Sequence, residues 1–145
     1  MAEFLIWPVL VWGILIGLYE LFAIHADESF VGMRWLTHGL QAAIFSFLFV
    51  FIVMNVEWAL SFLPALQDIT FLSFFNFLPV RIFVGLIAMI KIQGASMVVR
   101  GGRMAARGIG EHITHTIIAA LLIIFSPEIM GVLWPVISNF LPFTS

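Results

Sequence analysis

Lys91 and Glu128 are the residues whose type and position most invite chemistry. Each falls inside an apolar stretch, Lys91 near the middle of Ile82 to Val99 and Glu128 in the stretch that begins at Ile113. An ammonium at the centre of a bilayer costs about 2.5–3.5 kcal/mol on insertion scales, so it needs an acid, a partner chain or a route to the interface. Counting about 1.5 Å per residue from one end of the two stretches puts Lys91 roughly 13 Å deep and Glu128 roughly 20 Å deep, a gap that a lysine side chain largely bridges. Two chemistries follow: a charged pair lining an ion or proton path, or a buried ion pair fixing the register of two helices. One pair without a chain of further polar groups favours the second.

The histidines come next. His25, His38, His112 and His115 all fall on one side of the expected membrane, with Asp27, Glu28 and Glu111 beside them. In Glu111-His112-Ile113-Thr114-His115 the acid and the second histidine are one helical turn apart, and the two histidines are three apart. Their side chains then share a face and could hold a metal. The order is not the HExxH of zinc proteases, and the step from Glu111 to His115 is one residue longer than the Glu-x-x-His of di-iron bundles. Histidines from two helices could also ligate a b-type haem. The plainer reading is polar residues placed at helix ends.

Arg100, Arg103 and Arg107 are spaced three and four apart, so a helical extension would carry them on one face. Such a face suits anionic lipid headgroups or a partner chain, and serves equally as a plain topology signal. Gly101, Gly102, Gly108 and Gly110 lie among them, but no G-x-x-x-x-G-K-[ST] pattern is present, which excludes a phosphate-binding loop.

The elements that must position these residues follow from composition. Of 145 residues, 63% are hydrophobic and only 10% charged, and mean hydropathy is +1.16. A soluble fold of this size cannot hide so much apolar surface. A soluble enzyme, a disordered tail and a nucleic-acid module are therefore excluded. With no cysteine, disulfides, thiolate metal sites and iron–sulfur clusters are excluded as well. The expectation is a single all-α integral membrane domain over residues 1–145, with about four transmembrane helices and one or two short interfacial helices on the outer side.

A crossing needs roughly 20 apolar residues. The first is Phe4 to Ile24, which lacks the basic flank and cleavage site of a signal peptide and reads as a retained helix. Its Gly13-x-x-x-Gly17 matches a close-packing motif. The second runs from His38 to Leu63, and the third from Ile82 to Val99 with Pro79 near its start. Residues 64–79, rich in phenylalanine and bracketed by prolines, read as an interfacial or re-entrant segment. The last stretch, Ile113 to Phe143, is too long for one simple helix. Ser126-Pro127-Glu128 divides it, because Pro127 cannot donate to the carbonyl four residues earlier, and Ser126 reads as the N-cap of a new helix. Glu20, Gln41, Asn55, Glu57 and Asn76 are the remaining polar groups in or near apolar segments.

The loops near residues 25–37 and 100–112 carry Arg34, Arg100, Arg103 and Arg107, and the opposite side carries Arg81. Basic loops stay cytoplasmic, so both termini are expected outside the cytoplasm, in a plasma or inner membrane. Trp7, Trp58 and Trp134 would then sit at the outer interface, Trp35 and Tyr19 at the inner one. The leading functional expectation is a non-catalytic subunit of a larger membrane complex, whose partners are lipids and other membrane subunits or copies of itself. The alternatives are a redox subunit holding haem b or a metal ion, and a small oligomeric ion or proton channel or transporter.

Overall fold

The computed structural model describes residues 3–26, 33–100 and 105–142; for 34, 64, 67, 95–100 and 105–112 it describes the backbone alone. Every element among them is helical: α1 Trp7–Ala26, α2 Arg34–Met54, α3 Val56–Leu60, α4 Pro64–Gln67, α5 Thr70–Phe74, α6 Leu78–Arg100, α7 Ala105–Ile124 and α8 Ser126–Ile137, followed by a 3-10 turn over Ser138–Phe140. Among the described residues two helices are long and apolar enough to cross a membrane, α1 and Trp35–Met54 of α2. A third span is added if the bent pair Ile113–Ile124 and Ser126–Phe140 counts as one.

The four long helices α1, α2, α6 and α7 make an antiparallel bundle. Each contributes a buried stripe in steps of three or four residues, as with Val9, Gly13, Ile16, Glu20 and Ile24 on α1 and Arg81, Gly85, Ala88 and Ile92 on α6. That spacing keeps one seam facing inward in a helical bundle. Val50 and Val53 of α2 and Ile123 of α7 complete the principal core, with Met130 of α8 closing it. The outward faces are as apolar as the core, with Phe22, Ile44, Phe83 and Ile90 all exposed. A water-soluble bundle reverses that pattern, whereas lipid tolerates it.

α1 and α2 approach most closely. Gly13 lies under the Phe47 ring and Gly17 against Ala43, and a Cβ at Gly13 would come within 2.5 Å of that ring. The small-residue motif of α1 is thus used inside the chain, against α2. Asn55 fixes the far end of this pair. Its Oδ1 accepts the Leu5 N–H at 2.7 Å, and its Nδ2 donates to the carbonyls of Leu5 and Phe51. The side chain therefore ends α2 and clasps the segment entering α1 in one stroke.

Several expected boundaries move. α2 starts at Arg34 and stops at Met54, because Asn55 diverts the chain; Leu63 is not part of it. Residues 64–79 form two short helices and turns at the far end of the bundle, with Phe71 and Phe74 exposed. Asn76 takes a left-handed backbone, and the N–H groups of Asn76 and Phe77 bond back to Ser73 and Leu72, which closes α5 in a Schellman arrangement. Phe77 is then buried against Val56 and Leu60 and seats this cap on the bundle.

The break after α7 falls at Phe125, with a 67° bend between the two helices. Ser126 is the first residue of α8 and not its cap; its hydroxyl donates to the Ile123 carbonyl at 2.7 Å. That carbonyl is the one Pro127 cannot serve. Replacing Asn55 by Ala removes three hydrogen bonds at about 0.5–1.5 kcal/mol each, so a loss of about 2–3 kcal/mol is expected. Thermal unfolding of Asn55→Ala in detergent, followed by circular dichroism, measures it.

Candidate functional site

Polar side chains inside the bundle fall into two groups. The first sits at the end of α7. A helix that stops leaves its last carbonyls without intrahelical donors. Here each finds one. Leu121 accepts the Phe125 N–H, Leu122 accepts the Trp12 indole Nε1–H at 3.2 Å, Ile123 accepts the Ser126 hydroxyl, and Ile124 accepts an Arg81 Nη1–H at 3.4 Å. Three helices thereby converge on one helix terminus.

Arg81 does more. Its two terminal nitrogens donate to the two carboxylate oxygens of Glu128, both at 2.7 Å, a planar bidentate pair. The guanidinium is only 2% exposed, while the Glu128 side chain is 47% exposed. Its cation faces the carbonyl end of α7 and its acid lies in the first turn of α8, so both charges complement the helix dipoles.

This corrects the expected pairing of Glu128 with Lys91. Lys91 lies ten residues beyond Arg81 on α6, about 15 Å further toward the basic end where α6 meets α7. Its side chain is exposed on the outer surface of the bundle. The register of α6 against α7 is the physical reason: Gly85 lies against Ile124 and Gln93 meets Thr116, so in this antiparallel pair Glu128 falls at the level of Arg81 and Lys91 at that of Ile118.

The second group lies deeper and nearer the basic end. Glu20 of α1, His38 and Ser46 of α2 and Thr116 of α7 are all fully buried. The Thr116 hydroxyl donates to Oε1 of Gln93 on α6 at 3.3 Å. The helix register brings most of these residues to one level. Leu21 lies against Gly39, Trp12 bonds at Leu122, and the helices run antiparallel. Glu20 is then about 3 Å along the axis from both His38 and Thr116. Neither carboxylate oxygen of Glu20, nor the Ser46 hydroxyl, has a hydrogen-bond partner among the described residues.

The other sequence candidates are scattered. The His25 ring packs on Trp35, with centroids 4.3 Å apart, and is exposed at the basic end. His38 is buried, and His115 is half-buried on α7 near the same level. Glu111, His112 and Arg107 lie on α7 where the backbone alone is described, and Arg100 closes α6. Because α6 ends at Arg100 and α7 starts at Ala105, Arg100 and Arg107 belong to different helices and not to one face. Arg103, Asp27 and Glu28 lie outside the described residues. Among the described residues no three His, Asp or Glu side chains gather as a metal group.

No family model, curated protein or solved structure matches the chain. The arrangement itself defines a helical bundle with an apolar exterior, a clamped helix break at one end and a polar layer inside. Since Arg81 is buried and Glu128 reaches the surface, the two halves of the clamp should respond unequally to mutation. Glu128→Gln strands a buried guanidinium and is expected to cost about 3–5 kcal/mol. Arg81→Met leaves a carboxylate that still meets solvent or headgroups, and should cost less. The double variant should recover part of the Glu128→Gln loss, as a double-mutant cycle of thermal unfolding in detergent can read.

Proposed function

We propose that the chain is a small integral membrane protein and a non-catalytic subunit of a larger membrane assembly. On this reading α1, α2, α6 and the bent α7–α8 unit cross the bilayer. The short helices α3 to α5 lie at the outer interface, and the basic end faces the cytoplasm. Both termini then lie outside the cytoplasm, in a plasma or inner membrane.

The observation that supports the subunit reading is the position of Lys91. It is exposed on α6, where the other exposed residues of positions 78–94, Ile82, Phe83, Leu86 and Ile90, are all apolar. It stands nine residues, about 14 Å, from the end of α6 at Arg100. A lone ammonium there is costly in hydrocarbon. Snorkelling shortens the distance to the headgroups without closing it. An acid on a neighbouring transmembrane helix, from another subunit or a second copy, meets the charge directly.

The expected outcome is a native mass above the 16.3 kDa of one chain when the tagged full-length protein is extracted in a mild detergent. Lys91→Met should return it to the single-chain mass while leaving helicity and thermal unfolding unchanged, because the Lys91 side chain is exposed outside the core. Multi-angle light scattering of both proteins checks this. A single-chain mass for the unmodified protein, or an assembly indifferent to Lys91→Met, contradicts the reading.

A further inference from the structure

We propose that the buried layer of Glu20, His38, Gln93 and Thr116 is an interior binding site for a small monovalent cation, a proton or a bare alkali ion, with Glu20 as its acid. Glu20 occupies a position in the buried stripe of α1 where the neighbouring steps are Ile16 and Ile24, both fully buried. A bundle that needed only packing would place an apolar residue there. Instead a carboxyl group stands with no exposed surface and with neither oxygen partnered among the described residues.

Ser46 is a second, independent observation. It lies on the same buried face of α2 as His38, and its hydroxyl is likewise fully buried and without a partner among the described residues. By register with Gly13 and Phe47 it sits about 9 Å beyond Glu20, toward the far end. The groups therefore form a short polar line inside the bundle, from His38 through Glu20 to Ser46, with Gln93 and Thr116 beside the acid.

A buried carboxylate without donors is held only when a positive charge neutralises it. Arg81 is committed to Glu128, and Lys91 faces outward. Register puts His38 on α2, Thr116 and His115 on α7 and, through its bond to Thr116, Gln93 on α6 near the level of Glu20, with Tyr19 adjacent on α1. These carry mostly oxygen ligands, which suit a hard monovalent ion better than a transition metal. A proton on Glu20 neutralises it equally, with the buried ring of His38 at nearly the same level of the bundle. The inference does not depend on Lys91 or on a partner chain.

The test is the thermal midpoint of the full chain in detergent, measured across pH and, at fixed pH, with sodium exchanged for choline. The same measurements are made on Glu20→Gln, which keeps the shape and removes the acid. Stabilisation of the unmodified protein by acid that disappears in Glu20→Gln identifies the proton. Stabilisation by sodium that disappears in Glu20→Gln identifies the alkali ion. If the two proteins respond identically to both, the proposal fails. Should Glu20→Gln not fold, Thr116→Val provides the second arm: it must shift whichever response the unmodified protein shows, and an unshifted response overturns the proposal.

Discussion

A helix that ends among apolar neighbours must find donors for its last carbonyls, and the end of α7 is where this chain meets that demand. Each orphan group left unpaired in an apolar medium carries a cost of several kcal/mol. Trp12 from α1, Ser126 from the next turn and Arg81 from α6 supply the donors, so three elements are tied to one point. Much of the architecture follows. The chain can turn by 67° without leaving its backbone exposed, and α8 can close the end of the core through Met130. Arg81, once buried for this task, requires an acid; Glu128 in the first turn of α8 provides it and locks the bend that made it necessary.

The same economy governs the rest of the bundle. Polar side chains are few, and among the described residues three of the buried ones, Asn55, Arg81 and Ser126, serve helix ends. Asn55 ends α2 while holding the segment before α1. The backward bonds from Asn76 and Phe77 close α5. Against that background the layer around Glu20 is the exception, since it caps nothing and ends no helix. Stability alone gives no reason for it, and buried ionisable groups inside membrane bundles are most often retained for what they bind or carry.

Much of the architecture was legible in the sequence. Run length and the absence of alternation pointed to membrane helices, and Pro127 pointed to the break, because a missing N–H is a local fact about one residue. What was not legible depended on angle and register. The partner of Glu128 is Arg81 because Gly85 registers with Ile124 and Gln93 with Thr116, whereas depth counted from the ends of the two stretches, without that register, pointed to Lys91. Asn55 looked like an incidental polar residue inside a span, since its partner is fifty positions away in sequence. Glu20 was visible only as one polar residue among several. The signal that could have singled it out was the three-and-four stripe of α1, in which Glu20 falls among buried aliphatic positions; His38 and Ser46 fall on the corresponding stripe of α2.

The central proposal is that all four long helices stand in lipid with their apolar faces outward, including α6, which carries Arg81 and Lys91. Spin labels placed one at a time at Phe83, Leu86, Ala88, Ile90 and Ile92 in the reconstituted protein test it through their accessibility to oxygen and to a water-soluble relaxing agent. The expected result is high oxygen and low aqueous accessibility at 83, 86 and 90, with neither relaxant reaching 88 and 92. Free access of the water-soluble agent to 83, 86 and 90 would contradict it.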